Sequence, residues 1–501
     1  MTFLKLRNIY IVFSLVCLFF TSEGLYAQQS DVFMPEEAFD VEPVENEYQN
    51  GSAKMKNVNV DAEFMYGQYN NISSNLSILQ SLDGFAYQLN TDYKRSNDFG
   101  YENSSYYDNA IELTGQKELF GKWTFSPLVD VRNESHGMFS NPTYSREEKD
   151  RLIVLLKNEY MLTPVRWRFN VGGTQYIHRL VGADTVDAGF SKFNEELEWE
   201  RVFSASQKLS LRHYSCQYLY RTGDPAPDDY HMINELVWSL KLFEYLKISL
   251  SPMAMWNKDN EWKPGGRVNL DSDNLKYFTL GLSYSHELLP FQPENLYYDQ
   301  RYILPDNTLP PQLTDKVEVN GTFLIQRKPT GSFYFNSFKI KTKNTYEDND
   351  NFYNYEQAPG NVLTAGVTDS LFFSSSNEFV FDIVCYSYKF SLNIGYIFSH
   401  YRSDERITYR PGHQVAGSLA VSSDSFSLIW ENNYGSSVYI NTVNNEKLKG
   451  ALLGSLGFQV KVVETIFLNL KMNNLYDTQY SYRDGYPEPG FTILGGLHII
   501  I

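Results

Sequence analysis

Apolar side chains recur at every second position along many segments of this chain. Between residues 389 and 399 the even positions are large and apolar: Phe390, Leu392, Ile394, Tyr396 and Phe398. The odd positions include the small or polar residues Ser391, Asn393, Gly395 and Ser399. The same alternation recurs over residues 278–285 and 452–462. Because successive side chains of a strand point to opposite faces, this period predicts β-strands with one apolar and one polar face.

The alternating segments are also unusually long. They run for about ten to fourteen residues, roughly twice the mean strand of a globular sheet, which is the length that crosses a bilayer at a tilt of about 45°. Sheet edges cannot be left unpaired in hydrocarbon, so such strands must close on themselves. We therefore predict an all-β fold, a transmembrane antiparallel up-and-down β-barrel. After the first twenty or so residues, no apolar run reaches the length of a membrane helix.

Short and long connections alternate along the chain, as in barrels with tight periplasmic turns and longer outer loops. Tight turns are predicted near Asp83-Gly84, Gly121, Thr163-Pro164, Ser204, Glu244, Ser387, Ser423 and Glu464. Longer polar loops are predicted at 134–150, 179–189, 222–229, 257–272, 347–372, 401–411, 436–448 and 478–490. Looser turns at Pro290 and Lys328 complete about twenty strands from Phe85 onward. A hairpin over 57–82 makes about 22, with 20 as the alternative.

Prolines interrupt the region from Leu288 to Leu313. Because proline cannot donate to a strand ladder, at most one short strand fits there, and we predict it at about Asn295 to Leu304.

The N-terminus has the pattern of a secretory signal peptide. Lys5 and Arg7 precede an apolar run from Ile9 to Phe20, and a polar step leads to Ala27. A membrane anchor is the alternative, but this run falls short of the about 20 residues that cross a bilayer. We expect a signal peptide over 1–27, an acidic, disordered periplasmic segment over 28–56, a barrel over 57–501, and location in the bacterial outer membrane after export.

The C-terminal residues carry a resemblance to a known family. The elements that match are Asn474, Leu475, Tyr476, Asp477, Pro489, Gly490 and Phe491, followed by an apolar run to Ile501. This pattern, over about the last 35 residues, resembles the last hairpin of TonB-dependent receptor barrels. The family usually has a polar residue where Phe491 stands and an aromatic where Ile501 stands. Those receptors also carry a plug domain, for which the residues after Gln28 leave little room, so the resemblance implies a plugless relative.

Charge and cysteine content exclude several functions. The chain carries a formal charge of -17, which makes nucleic acid a poor partner. Once the signal is removed, Cys216 and Cys385 remain, and we expect two isolated thiols with no disulfide. No histidine or cysteine pair has the spacing of a metal site, so we expect no metal and no cofactor. The expected partners are outer-membrane lipid, the barrel-assembly machinery and a small polar solute, with partner proteins unknown.

Carboxylates line up on one predicted strand face. Glu196, Glu198 and Glu200 alternate with Leu197 and Trp199, so all three should face the lumen. Rings of carboxylates select cations in pores, which suggests an acidic pathway for cations or basic solutes. The alternative is an inner wall that facing arginines and lysines neutralise.

One pair of residues has a catalytic character. His213 and Ser215 share a strand face and could form a nucleophile and base, and outer-membrane phospholipase resembles this locally, with a His-x-Ser pair on its outer wall. Here Cys216 replaces the Asn-Gly continuation of that family, and no orienting residue is evident. The alternative is a pair of polar residues on the lumen face, and we expect no enzyme.

The tryptophans are Trp123, Trp167, Trp199, Trp238, Trp256, Trp262 and Trp430. They fit the aromatic girdles of membrane barrels, with a sugar-stacking platform as the alternative. We therefore expect a channel for small polar solutes, its lumen partly occluded by the loops at 347–372 and 134–150 and by the N-terminal segment. The rival hypotheses are a non-transport component of a surface or secretion complex and a lipase-like hydrolase.

Overall fold

The computed structural model describes residues 58–82, 85–97, 104–138, 141, 143–182, 185–220, 229–243, 245–256, 262–272, 277–289, 309–326, 333–358, 362–443 and 445–501. The predicted signal peptide and the acidic segment over 28–56 lie outside these residues.

Nearly all of the described chain is β-strand. In chain order the strands are β1 Asn59–Gly67, β2 Asn71–Leu82, β3 Phe85–Ser96, β4 Tyr106–Leu119, β5 Trp123–Gly137, β6 Tyr144–Leu162, β7 Val165–Gly182, β8 Val186–Ser204, β9 Gln207–Tyr220, β10 Asp229–Phe243, β11 Leu246–Trp256, β12 Trp262–Ser272, β13 Phe278–Leu289, β14 Gln312–Gln326, β15 Phe333–Ala358, β16 Val362–Cys385, β17 Tyr388–Ser403, β18 His413–Ser422, β19 Phe426–Gly435, β20 Val438–Tyr439, β21 Lys447–Leu448, β22 Ala451–Val463, β23 Ile466–Asn473, β24 Ser481–Arg483, β25 Tyr486–Pro487 and β26 Thr492–Ile500. A short 3-10 turn, Gln68–Asn70, joins β1 to β2.

Twenty-two of these strands form one closed antiparallel sheet. Each pairs with its neighbours in chain order, and β1 closes the ring against β26 from Asp61↔Ile500 to Gly67↔Leu494. The remaining strands form two short ribbons, β20 with β21 and β24 with β25, within the loops. The predicted barrel of about 22 strands is confirmed, including the hairpin over 57–82, which is β1 and β2.

The outward face of the barrel is apolar. On β13, the side chains of Phe278, Leu280, Leu282 and Tyr284 are 44–46% exposed, and polar residues alternate with them toward the lumen. A closed barrel with exposed leucine and aromatic side chains around its wall is matched to lipid, which places this chain in the outer membrane. Among the described residues, no helix is long and apolar enough to span a membrane.

The predicted number of strands was right, although one predicted loop forms a strand of the wall and one predicted strand is not part of the wall. Residues 262–272, predicted as part of a loop, form β12, which pairs with β11 from Leu246↔Ser272 to Trp256↔Trp262. Pro264 is tolerated because β12 pairs with β13 only from Gly266 onward, so its missing N–H breaks no ladder bond on that side.

The predicted strand over Asn295 to Leu304 lies outside the described residues. However, β13 pairs directly with β14 from Phe278↔Phe323 to Leu289↔Gln312, so no strand lies between them in the barrel wall. The turn predicted at Pro290 is therefore wrong, and residues 290–311 connect β13 to β14 at the end of the barrel that carries the long loops. We call that end the outer end and the opposite one the turn end.

Several predicted loops are in fact strand. Residues 134–150, 179–189 and 347–372 lie mostly in β5 to β8 and in β15 and β16, and the last two strands stay paired as far as Ala358↔Val362. These outer parts project beyond the lipid, where neither face needs to be apolar, so the alternation that predicted strands is missing. The tight turns at Gly121, Thr163-Pro164, Ser204, Ser387, Ser423 and Glu464 are confirmed, whereas Asp83-Gly84 and Glu244 lie outside the described residues.

Candidate functional site

The three glutamates predicted to face the lumen do face the lumen, and each meets a donor on β7. Arg166 Nη2 donates to Glu200 Oε2 at 3.0 Å, and Arg168 Nη1 donates to Glu198 Oε2 at 2.6 Å. Asn170 Nδ2 donates to Glu196 Oε2 at 2.8 Å. The register of β7 and β8 sets these pairs, since Arg168 lies directly opposite Glu198. This is the arrangement of the neutralised wall that we weighed as the alternative.

The pairing continues along the lumen wall on the next strands. Arg212 on β9 contacts Glu198 at 3.1 Å and Glu235 on β10 at 3.3 Å. Arg267 on β12 contacts Glu287 on β13 and reaches back to Glu235 at 3.8 Å. It does so across β11, whose residue opposite Arg267 is the small Ser251. We call this set the ion-pair lattice: Arg166, Arg168, Glu198, Glu200, Lys208, Arg212, Glu235, Arg267 and Glu287.

The sequence predicted that Glu198 and Glu200 face the lumen, but it did not predict that arginines pair with them. The signal was present, because Arg166 and Arg168 alternate with Trp167 just as the glutamates alternate with Trp199. What the sequence did not supply was the register between strands. Without it, a row of acids cannot be matched to the row of bases that faces it.

On the first and last strands of the barrel, amides and hydroxyls bond to one another and to carboxylates. Asn90 Nδ2 donates to Glu112 Oε1 at 3.0 Å, and Ser77 Oγ donates to Asn90 Oδ1 at 2.8 Å. Gln459 and Asp61 both bond to the ring of His498, at 2.9 and 2.7 Å. Below the outer end, the lumen is thus lined by groups that can bind water and polar solutes.

Buried side chains from distant strands meet at the outer end of the lumen. We call them the outer cluster: Tyr176, Phe190, Cys216, Tyr218, Leu309, Tyr355, Leu363, Tyr409 and Ile440. Tyr176 and Phe190 lie on β7 and β8, whereas Tyr355 lies on β15, well around the barrel wall. Tyr409 and Ile440 come from the loops over 404–412 and 436–450. The loops therefore pack between two separate parts of the wall. No disulfide joins Cys216, which is buried on β9, to Cys385 at the end of β16.

A smaller buried group lies beside the outer cluster and contains charges. Met138, Leu180, Val362 and Tyr486 pack together, and Tyr486 belongs to the loop over 474–491. Next to Tyr486, the carboxylate of Glu147 is fully buried.

Glu147 is held by two bases. It contacts His178 Nε2 at 2.9 Å and Lys149 Nζ at 3.7 Å. A strand crosses the hydrocarbon in about ten residues, so Glu147, near the outer start of the 19-residue β6, lies outside the membrane. Burial would raise the pKa of Glu147, but Lys149 and His178 outweigh it and lower that pKa to about 2.

The motif of the C-terminal resemblance shapes the loop between β23 and β26. Asn474 donates to the Thr478 and Pro489 carbonyls, at 2.9 and 3.1 Å. Asp477 Oδ1 accepts the Phe491 N–H at 2.8 Å, and a Cβ on Gly490 would overlap that carboxylate. Leu475 donates to the Gly454 carbonyl and Tyr476 bonds to Asn432. The motif thus acts as a clamp that fixes the loop carrying Tyr486.

His213 and Ser215 face outward, beside Leu211 and Leu219, so the lumen-facing alternative was wrong for them. They turn toward different strands. His213 Nδ1 lies 2.8 Å from Asn234 Oδ1 on β10, and Ser215 Oγ donates to Glu195 Oε1 on β8 at 2.9 Å. Asn234 is an orienting residue that the sequence did not reveal, because only the register places it opposite His213.

The tryptophans also face outward. Trp123, Trp167, Trp238, Trp262 and Trp430 are 38–56% exposed, and Trp167 packs against Trp199 across β7 and β8 with ring centroids 6.3 Å apart. This is the orientation that a girdle at the membrane interface requires.

Comparison with known proteins supports the fold. No protein-family model matches the sequence, and no curated protein matches it. Among solved structures, the chain is similar to the siderophore receptor PirA from Acinetobacter baumannii, with a TM-score of 0.68, 11% identity, and coverage of 89% of this chain and 80% of that one. It is similar to the FrpB iron transporter from Neisseria meningitidis, with a TM-score of 0.68, 11% identity, and coverage of 89% and 82%. The copper transporter OprC gives a TM-score of 0.66 at 12% identity, with coverage of 89% and 80%. At this level of identity, the likeness shows that the chain has the barrel fold of these receptors.

Proposed function

We propose that this barrel is an outer-membrane pathway for small polar solutes, and that its own loops close the outer end. The observation that carries the proposal is the outer cluster above a hydrophilic wall. Tyr355 on β15 and Phe190 on β8 belong to one packed group with Tyr409 of the loop over 404–412. A 22-stranded barrel has a lumen far wider than its own side chains fill, so an unobstructed one would leak.

The names of the similar structures agree with a transport role. They are a siderophore receptor, an iron transporter and a copper transporter. For this chain we infer only the broader class, passage of a solute through the barrel. In this proposal the loops over 404–412, 436–450 and 474–491 close the outer end of the lumen.

The loops that close the lumen in this proposal differ from those predicted. Residues 347–372 and 134–150 contribute mainly as wall, because they form paired strands. The N-terminal segment lies outside the described residues. The lumen need not be acidic in this proposal, since Glu198 and Glu200 are each bound by arginine.

The proposal includes no enzymatic step and no protein partner. His213 bonds to Asn234 and Ser215 bonds to Glu195, so no Ser215–His213 hydrogen bond supports a hydrolase in the part of the chain that the structure describes. A component of a surface complex is the remaining rival, and stable co-purification of another envelope protein in mild detergent would favour it.

Solute flux tests the proposal. The full-length protein is reconstituted in liposomes, and swelling is followed with uncharged sugars of increasing size. We expect slow swelling with the smallest sugar and a marked increase when residues of the 404–412 loop are replaced by glycine and serine. Swelling that stays at the level of protein-free liposomes for both proteins would refute a solute pathway. Fast swelling of the unaltered protein would refute closure by the loops.

A further inference from the structure

Arginines at the outer end are held differently from those on the lumen wall. On the wall, arginine meets carboxylate: Arg132 with Asp108, Arg151 with Asp130, Arg168 with Glu198 and Arg267 with Glu287. In the loop over 404–412, two arginines lie over aromatic rings. The Arg410 guanidinium is 4.4 Å from the centroid of the Phe352 ring, and Arg406 is 5.3 Å from that of Tyr439.

These arginines line a cavity of ≈ 820 Å³ formed by the end of β17 and the loops over 404–412 and 436–443. The basic groups that line it are Arg402, Arg406, Arg410, His400 and His413. Two carboxylates, Asp404 and Glu405, also line the cavity, so basic groups outnumber acidic ones there. Within the described residues, no carboxylate lies within ion-pair distance of Arg402 or Arg410.

A guanidinium that stacks on an aromatic ring keeps the N–H donors along its edge available for a ligand. A ring beneath Arg410 covers the flat face of the group, whereas its N–H donors point outward in the plane. Tyr401 lies on another side of the Arg410 guanidinium, 5.8 Å from it, and the Tyr353 carbonyl accepts one weak bond at 3.5 Å. The remaining donors are oriented in advance for a planar or tetrahedral oxyanion, which arginine binds through two parallel hydrogen bonds.

We propose that this cavity binds a small soluble oxyanion, a solute that carries two or more carboxylate or phosphate groups. Its volume is in the range of small-molecule sites. It lies beyond the segment of β17 whose even positions, Phe390 to Tyr396, face lipid, so a ligand would arrive from outside the cell. The inference extends the proposed function by naming the solute class that the entrance selects. Binding at the outer end does not itself require passage.

Calorimetry on the purified full-length protein in detergent tests this inference, with citrate and tripolyphosphate as probes. Spermidine and glucose serve as the cationic and neutral comparisons. We expect both anions to bind, with an affinity that falls as salt rises, and no binding of the comparison solutes. Arg410→Gln should weaken citrate about ten-fold, the value of one charge-assisted pair of bonds. Arg402→Gln should also weaken it, and because Arg402 is exposed, the exchange should leave the folding of the protein intact.

Arg201→Gln is the matched control. Arg201 also lies over an aromatic ring, 5.1 Å from the centroid of Phe203, but near the turn end of β8. The Arg201→Gln variant should bind citrate with the same affinity as the unaltered protein. Binding of spermidine instead of citrate, or equal citrate affinity in all three variants, would overturn the inference.

A phosphate-bearing glycolipid of the outer leaflet is the other source of the same chemistry. The citrate titration is therefore repeated in nanodiscs of phosphatidylcholine with and without lipopolysaccharide. Unchanged citrate affinity supports a soluble ligand, whereas displacement of citrate by lipopolysaccharide overturns it. Citrate binding together with absent liposome swelling would refute the proposed pathway and leave the site standing. Liposome swelling without citrate binding would refute the oxyanion site and leave the proposed pathway standing.

Discussion

Asn354 on β15 holds Thr408 in the loop that follows β17. The side-chain oxygen of Asn354 accepts the Thr408 backbone N–H at 3.0 Å and lies 3.1 Å from the Thr408 hydroxyl. The same side chain donates to the Arg406 carbonyl at 2.8 Å. Thr408 is fully buried and Asn354 nearly so. One amide on the barrel wall thus fixes the backbone of the loop that carries Tyr409 into the outer cluster, where unmade bonds would be costly.

The buried carboxylate of Glu147, beside the loop over 474–491, predicts a response to acid. The pKa of Glu147 falls from 4.5 to about 2 on folding. A lowered carboxyl pKa means that the ionised group stabilises the folded arrangement above pH 4.5, and that this contribution is lost as the pH falls toward 2. We expect the conductance of the reconstituted protein to rise over this interval.

Variants separate Glu147 from the other groups around it, which are Lys149, His178, His136 and Tyr486. Glu147→Gln should remove the rise over that interval, provided that heat-modifiable gel mobility shows a folded barrel. Glu159→Gln, near the turn end, should keep it. An acid response that is the same in Glu147→Gln would assign it to another group.

The ion-pair lattice predicts the ion selectivity of the opened barrel. Arg168→Gln and Arg212→Gln together remove both arginines that bind Glu198 and leave its carboxylate uncompensated. The reversal potential in a salt gradient, measured on protein whose outer loop has been loosened, should shift toward cation selectivity. Glu198→Gln should shift it toward anions. Equal potentials in both variants would mean that this lattice does not line the conducting path.

Closure of the barrel depends on a close approach at the seam between the first and last strands. A Cβ on Gly496 in β26 would overlap the backbone carbonyl oxygen of Phe64 in β1. Gly496→Ala should therefore reduce the folded fraction seen as heat-modifiable mobility in gels. Gly495→Ala is the control, because its Cβ would lie 3.9 Å from the nearest atom, an ordinary contact. Normal folding of Gly496→Ala would show that the seam can open to admit a side chain.

The outward pair at His213 and Ser215 predicts a negative result. Ser215 donates to the Glu195 carboxylate rather than to His213, so the two residues do not form the Ser-His pair of a hydrolase. Phospholipid incubated with the purified protein should yield no lysophospholipid by mass spectrometry, and Ser215→Ala should match the unaltered protein. Release that depends on both Ser215 and Asn234 would instead make the chain a hydrolase.

Alternation predicted those strands that have lipid on one face and water on the other, such as β17 with Phe390 to Phe398. It failed where that contrast is missing. Residues 352–358 of β15 project past the lipid, and Pro264 to Gly266 in β12 resemble a turn although they are paired on one side. Alternation of apolar and polar residues identifies a strand only where one face of the strand contacts lipid and the other contacts water.

The candidate site was predicted less well than the fold. Glu198 was placed on the lumen face correctly, because facing follows from position along one strand. Arg168, Asn234 and Thr408 were missed as partners, because each pairing depends on the register between strands or on a loop that packs far from its own place in the chain. The bond between Asn354 and Thr408 has no periodic signal at all.

Single-channel conductance in planar bilayers tests the account most directly, by comparing the unaltered protein with Asn354→Ala and with Asn393→Ala. Asn393 also lies on the lumen wall and makes one bond, to Glu378 at 3.2 Å, away from the outer loops. We predict small or rare openings for the unaltered protein and for Asn393→Ala, and several-fold larger conductance for Asn354→Ala. Equal conductance in all three proteins would contradict closure of the lumen by the loop that Asn354 holds.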